Sequence, residues 1–355
     1  MMLKPGSTIG VLGTGQLGRM LCSAAAKLGF RTAVFGPDAD GSPAGEVATM
    51  VRQAAYDDLA AVKVFAEEVD AVTYEFENVP AATAATVTEA GGVLAPPAAA
   101  LAASQERVRE KDFFRSLGIK TVDYWPVASA DDLGRALPEA GPSILKTCQF
   151  GYDGKGQASL QGAEDPVKVL ADLGGGPWIL EAKAAFSREV SQVAARGRDG
   201  AITFFDLAEN EHRSGILHRS VLPAQASDSV REQAQTATRS VLEKLDYVGV
   251  LTVEFFDCDG ELFANEMAPR VHNSGHVTHE ACSTGQFEQH IRAVAGWPLG
   301  DTRTLIPSEM INLIGHDTDE WRALTATLGA SLTLYGKKET APGRKMGHWV
   351  RPLNI

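Results

Sequence analysis

Cysteine is scarce. Four residues, Cys22, Cys148, Cys258 and Cys282, are scattered through 355 with no C-x-x-C pair. That argues against a disulfide framework and against a cysteine-ligated zinc site. Long apolar runs are missing too, and nothing approaches the ~18–20 residues that span a bilayer. The opening MMLKPGSTIGVLG holds no long apolar core ahead of a cleavage site, so a cytoplasmic location is expected. There is no lysine-rich tract, and the net charge is −12. Nucleic acid and anionic membrane are therefore not expected as partners. What is present is 44% hydrophobic residues, enough for globular cores, in a chain too long for one ordinary core.

The first hundred residues alternate strands with helices. Thr8–Leu12, Thr32–Phe35, Ala71–Tyr74 and Val93–Leu94 read as strands, and Arg19–Leu28, Asp58–Glu68 and Ala81–Ala90 as helices. That is a doubly wound parallel α/β unit. Pro96-Pro97 and an alanine-rich helix mark its end. A smaller glycine-rich segment follows, with strands at Ser143–Lys146 and Trp178–Glu181 and a helix at Val167–Leu173. A third, mixed α+β segment carries alternating strands, a helix at Ser229–Lys244, an acidic hairpin and a helix around Phe287–Val294. The expected divisions are 1–112, 113–186 and 187–355.

The hairpin TVEFFDCDGELFANE holds a carboxylate on each arm, Glu254 and Glu266. A two-residue Asp-Gly turn would place them on opposite faces. A three-residue loop, Cys258-Asp259-Gly260, would pair Glu254 with Ala264 and leave Glu266 diagonally across on the same face, roughly 7–8 Å away. The second arrangement is the expectation, because carboxylates so placed share divalent cations. Magnesium takes such hard oxygens together with substrate phosphates. Asn265, Arg270, His272, Asn273 and His276 follow at once. The histidines lack H-E-x-x-H spacing, which argues against zinc.

Gly13-x-Gly15-x-x-Gly18 matches a dinucleotide fingerprint, with Asp38 as the acid expected ~20 residues on. It suits a nicotinamide site, another phosphorylated ligand, or a tight strand–helix turn. Glu75 and Glu77 share strand parity at the carboxyl end of a strand, where parallel sheets bind ligands. Asn78 is the expected N-cap of the helix that follows, with Pro80 in its first turn. Lys146 ends the strand SILK, five residues before the loop Gly151-Tyr152-Asp153-Gly154-Lys155-Gly156-Gln157. The loop's amides can fold over phosphates, although it is not a Walker A sequence. Arg270, Lys345 and Arg351 are cations in glycine- and proline-rich surroundings, suited to a substrate phosphate or to solubility.

This order of parts resembles the ATP-grasp enzymes: a parallel α/β domain, a strand lysine, a glycine-rich lid, a hinge at Glu181–Ala184 and a two-glutamate hairpin. GTGQLGRM, YEFENV, QFGYDGKGQ, NEMAPRVHNSGH and GRKMGH are similar, within that superfamily, to the N5-carboxyaminoimidazole ribonucleotide synthetases of purine biosynthesis. The resemblance covers essentially the whole chain. It implies a ligase that joins aminoimidazole ribonucleotide and bicarbonate with Mg-ATP, through carboxyphosphate, giving the N5-carbamate, ADP and phosphate. Glu254 and Glu266 would hold two Mg²⁺, with Mn²⁺ an acceptable substitute. Lys146, Lys155 and the amides of Gly151–Gly156 would clamp phosphates, with Gln157 beside them. Arg107, Glu181, Ala182, Lys183, Ala184, Glu189, His212 and Asn265 would complete the nucleotide pocket. Arg270 would hold carboxyphosphate near His272 and Asn273, and Asp153 would take the amine proton. Gly15, Gln16, Leu17, Glu75, Glu77, Asn78, Lys345 and Arg351 would bind the ribonucleotide. The resemblance also implies a homodimer. Three rivals stand beside it: a nicotinamide dehydrogenase, a formate-using or peptide-forming ligase, and a non-catalytic nucleotide sensor.

Overall fold

A computed structural model describes residues 2–149 and 156–353. The N-terminal layer is a parallel sheet in the order β3-β2-β1-β4. Its strands are β1 (Thr8–Leu12), β2 (Arg31–Gly36), β3 (Met50–Gln53) and β4 (Ala71–Tyr74). Helices α1 (Gln16–Lys27), α2 (Leu59–Glu67) and α3 (Ala81–Glu89) cross between and after them. β1 and β4 are apolar and buried nearly throughout, as strands covered on both faces must be. β3 has two apolar and two polar residues in a row and is half exposed, so no apolar run announces it. Val93–Leu94 contributes a single parallel bridge, Leu94 to Val72, rather than a full strand. α1 buries Leu17, Met20, Leu21, Ala24 and Ala25, a one-sided stripe at helical spacing.

After Pro96-Pro97 come α4 (Ala98–Ser104) and α5 (Arg107–Ser116). The Glu106 carboxylate caps α5 by accepting from the Val108 and Arg109 amides at 3.0 and 2.9 Å. An antiparallel sheet follows, ordered β5-β8-β6-β7. It is built from β5 (Tyr124–Val127), β6 (Ser143–Thr147), β7 (Gln157–Leu160) and β8 (Trp178–Ala182), with α6 (Ala130–Ala140) and α7 (Pro166–Leu173). Leu133, Leu137, Leu145, Leu160 and Leu180 form its small core.

The third unit is a nine-stranded antiparallel sheet. It contains β9 (Arg188–Arg196), β10 (Ile202–Phe204), β11 (Ala208–Arg213), β12 (Ile216–Leu222), β13 (Gly249–Cys258) and β14 (Glu261–Ala268). β15 (Ser308–Ile314), β16 (Ser331–Leu334) and β17 (Lys345–Pro352) complete it. The order is β14-β13-β9-β11-β12-β15-β17-β16, with β10 paired to β9. Helices α8 (Asp228–Lys244), α9 (Thr278–Ala281), α10 (Gln286–Ala295) and α11 (Trp321–Ala326) accompany it. One apolar cluster joins Leu21 of α1, Val193 of β9 and Ile291 of α10. Burying each such side chain contributes about 1.5–3 kcal/mol, so this shared core holds the N-terminal layer against the large sheet. The junction places the carboxyl ends of β1 and β4 beside the segment that follows β14.

Candidate active site

The hairpin corrects the expected register. Cys258 pairs with Glu261, so the turn has two residues. Asp259 and Gly260 stand at φ 54° and 93°, the left-handed pair that such a turn requires. Phe255 pairs with Ala264, yet Glu254 pairs directly with Glu266. Asn265 is therefore the extra residue of a β-bulge. Side chains alternate with period two, so an added residue moves everything beyond it to the other face. The bulge thus returns Glu266 to the face of Glu254. The outcome matches the expected common face, but a bulge produces it and not a three-residue loop.

Each carboxylate is partly engaged. Glu254 Oε1 lies 2.9 Å from His272 Nε2. The Ser274 amide donates to His272 Nδ1 at 3.3 Å, so Nδ1 accepts and Nε2 carries the proton toward Glu254. Glu266 Oε2 accepts from Arg107 Nη1 at 3.0 Å. Burial pushes the Glu266 carboxyl up, but Arg107, Lys146 and His272 outweigh it and hold it at about 2. Glu189, His212 and Glu254 also converge, with one ligand atom from each within 4.8 Å of the others. His212 Nδ1 stands 2.8 Å from Glu189. Burial works against its proton, but Glu189, helped by Glu254 and Glu266, raises it above the ordinary range. Asn265 Oδ1 and both polar side-chain atoms of Asn273 are buried without a hydrogen-bond partner. Two carboxylates on one face of adjacent strands offer hard oxygens of the kind that magnesium takes.

On the lid sheet, Lys146 Nζ donates to Glu181 Oε2 at 2.8 Å. Glu181 Oε1 faces Lys111 Nζ at 3.7 Å and has no hydrogen bond of its own. Burial pushes the Glu181 carboxyl up, but Lys146 and Lys111 bring it below the usual range. Gly156, at φ +69°, accepts from the Thr147 amide at 2.9 Å, and Gln157 pairs with Lys146 across β6 and β7. Gly151, Tyr152, Asp153, Gly154 and Lys155 lie outside the described residues. At the hinge, the Ala182 amide donates to Asp123 O at 2.8 Å and the Lys183 amide to Pro142 O at 2.9 Å. Ala184 follows the strand, half exposed.

At the N-terminal layer, Glu75 does not point freely into a crevice. Its carboxylate accepts from the Gly15 and Gly18 amides at the start of α1. It occupies the place where a dinucleotide phosphate would sit, which removes the fingerprint as support for a nicotinamide enzyme. Gly13, at φ +122°, has Glu75 Cγ only 2.2 Å from where a Cβ would stand, so this turn needs glycine. Gln16 opens α1, half-buried, while Leu17 turns inward to the core. Asn78 is not a helix cap. That position falls to Pro80, with no side-chain bond. Glu77 pairs instead with Arg270.

The C-terminal cations separate. Lys345 opens β17 and Arg351 nearly closes it, six residues and about 20 Å of strand apart. Arg351 is paired to the buried Glu309, which also holds Arg219. Arg351 therefore does not join Lys345 at one phosphate. Lys337, whose Nζ donates to Lys345 O at 2.6 Å, is near it instead. Lys338 Nζ reaches within 2.6 Å of a Cβ position on Gly41, beside the N-terminal layer. Sequence reasoning passed over Lys337 and Lys338, and also Glu110 and Lys111. For Glu110 and Lys111 the only signal is that they sit on the helix face carrying Arg107. Burial pushes the Glu110 carboxyl up to about 8, and Glu266 adds to the rise.

Family models match along the chain: a ribonucleotide synthetase preATP-grasp domain at residues 6–105, an ATP-grasp domain at 112–287, and a phosphoribosylaminoimidazole carboxylase C-terminal domain at 308–350. The N5-carboxyaminoimidazole ribonucleotide synthase of Brucella melitensis is 50% identical over 353 residues, covering 98% of this chain and 97% of that protein. The Pseudomonas aeruginosa enzyme of that name is 45% identical, covering 96% and 93%. A solved ADP complex of an N5-carboxyaminoimidazole ribonucleotide synthetase superposes with TM-score 0.95 at 39% identity, covering 100% of this chain and 94% of that one. The Aspergillus clavatus synthase with ADP and 5-aminoimidazole ribonucleotide gives 0.91 at 28%, covering 98% and 94%.

Proposed function

The chain belongs to the N5-carboxyaminoimidazole ribonucleotide synthase family of ATP-grasp ligases, ATP-dependent enzymes of purine biosynthesis, and from that premise we propose how its residues divide the work. The reaction is carboxylation of 5-aminoimidazole ribonucleotide by bicarbonate. A bicarbonate oxygen attacks the γ-phosphorus of ATP and releases ADP. Carboxyphosphate then breaks its C–O bond to phosphate, giving CO2 and inorganic phosphate. The exocyclic amine adds to CO2 and loses one proton, and Asp153 is the base that receives it.

Magnesium held by Glu254 and Glu266 would neutralise the triphosphate and the charge that develops in phosphoryl transfer. The observation that carries this reading is the direct pairing of Glu254 with Glu266 across a bulge. Arg107 and His272 steer the two carboxylates. Lys146, oriented by Glu181, supplies the point charge for the phosphates, and Lys155 with the amides of Gly151–Gly156 would clamp them. Glu181, Ala182, Lys183, Ala184, Glu189 and His212 line the nucleotide. Arg270 holds the carboxyphosphate, with Asn273's unpartnered amide beside it. Closure excludes water and retains CO2 until the amine captures it. The ribonucleotide would lie between Gln16 and Glu77 on one side, with Glu75 bracing the turn that carries Gln16, and Lys345 with Lys337 and Lys338 on the other.

We keep the three divisions 1–112, 113–186 and 187–355, the homodimer and the cytoplasmic location as parts of the same proposal. No helix among the described residues is long and apolar enough to cross a membrane. The test is ADP release with ATP, magnesium, bicarbonate and aminoimidazole ribonucleotide together, then with each omitted in turn. Release should need all four. Equal release with formate in place of bicarbonate would instead favour a different ligase.

A further inference from the structure

β14 is the edge strand of the nine-stranded sheet, so one side of its backbone has no strand partner. Such edges need cover. The cover here comes from α5 and the segment after it. Lys111 Nζ donates to Asn265 O at 2.7 Å and to Ala264 O at 3.4 Å. Glu110 Oε1 accepts from the Met267 amide at 2.7 Å. The Ala264 amide donates to Lys120 O at 2.7 Å. Arg107, one turn earlier in α5, takes the Glu266 carboxylate itself. Positions 107, 110 and 111 share one helix face. That face therefore grips the residue before Glu266, the residue after it and its side chain.

Lys111 is 1% exposed and Glu110 3%. Charged side chains are almost never so buried unless paired, and desolvating each costs several kcal/mol. Covering a strand edge needs only neutral donors and acceptors. The ammonium does more, because it also faces Glu181 Oε1 at 3.7 Å, and Glu181 orients Lys146. One buried cation thus ties the bulge to the phosphate-binding lysine of the lid sheet. A slip of one residue at the bulge would turn Glu266 to the opposite face.

We infer that Lys111, with Glu110 beside it, is a positioning residue that holds the Asn265 bulge in register and so sets the affinity of Glu254 and Glu266 for the divalent cation that accompanies the nucleotide. The inference rests on the function proposed above. The test is calorimetric binding of ADP to the full chain, with and without magnesium, for wild type, K111M and K111R, alongside steady-state kinetics. Wild type should bind ADP more tightly with magnesium. K111M should lose about tenfold or more of that magnesium-dependent gain, the scale seen when residues behind metal ligands are removed. Its magnesium-free ADP affinity should fall by much less, through the Glu181 contact alone, and its KM for the ribonucleotide should stay at the wild-type value. K111R, which keeps the charge and the donors, should restore most of the gain. A K111M protein with the wild-type magnesium response overturns the inference. So does one that loses ADP binding equally with and without the metal. Should K111M not fold, E110A, which removes the acceptor for the Met267 amide, must show the selective loss, and an unchanged response overturns the inference. A wild-type chain indifferent to magnesium overturns the proposed function as well, so the two failures are distinguishable.

Discussion

Glu77 and Arg270 lie 193 positions apart in the chain and meet in one ion pair. The pair joins the segment after β4 to the segment after β14. Burial works against both charges, yet each partner favours the other's charged form, lowering Glu77 and raising Arg270. Removing one charge of a buried pair strands the other. R270A should therefore lower kcat by about 10²–10³, the range for losing a donor aimed at developing charge, and should also lower the thermal midpoint. ADP binding should persist. A variant with normal turnover would remove Arg270 from the proposed chemistry.

Arg107, Lys146 and His272 hold the Glu266 carboxyl well below the usual carboxylate range. E266A should abolish ADP release while far-ultraviolet circular dichroism stays native. The ion pair of Arg107 with Glu266 is lost there, so a modest stability loss is also expected. Retained turnover would reject the metal role.

Asp153 is assigned by its place in the glycine-rich loop. D153N should slow formation of the carboxylated product far more than it weakens ATP binding, because amide and carboxylate differ little in size but only the carboxylate takes a proton. Carbamate formation at the wild-type rate would require another base.

Lys345 and Arg351 should behave differently, although both were expected at the ribonucleotide. K345A should raise the KM for aminoimidazole ribonucleotide by about tenfold, as losing one charge-assisted bond of roughly 1.5–3 kcal/mol does. R351A should leave that KM unchanged, since Arg351 is paired to Glu309 about 20 Å along the strand. A shared rise in KM would place both at one phosphate after all.

Stability should fall in mild acid because of buried histidines. Burial lowers His290 and His348 to about 3, and His276 well below its ordinary value. For His290 the geometry gives the reason. The Val250 amide already donates to Nδ1 at 3.1 Å, and Nε2 meets Thr73 Oγ1 at 2.7 Å, so a second ring proton would point at an N–H. An unfolded histidine titrates near 6.5. Between about 6.5 and 3 the unfolded chain binds more protons than the folded one, so stability is lost as pH falls through that window. Each histidine contributes at most about 1.4 kcal/mol per pH unit. Urea midpoints measured from pH 7.5 to 5 should drop accordingly, and H290Q should flatten the slope. A pH-independent midpoint would mean that these rings are not neutral and buried.

The parallel layer, the lid strands and the hairpin were legible because their periodicity and turn residues act locally. Thr8–Leu12 and Ala71–Tyr74 are apolar runs, and Asp259-Gly260 is a turn dipeptide by its own conformational preference. β3 was not legible, since half-exposed MVRQ has no strand pattern. Asn78 looked like a cap because its side chain suits one, but the chain starts α3 only after Pro80. Glu110 and Lys111 drew no expectation, because sequence alone does not say which surface a helix covers.

The sequence by itself determined the kinds of group available: two hairpin carboxylates, a strand lysine, a glycine-rich loop and a family signature across the chain. Only the tertiary structure decided which of them meet. The Asn265 bulge put Glu266 opposite Glu254, the amides of α1 took up Glu75, and Glu309 drew Arg351 away from Lys345. Each of these depends on backbone register or on a partner distant in sequence. Local propensity carries neither, because register is settled by the packing of whole sheets and helices against one another.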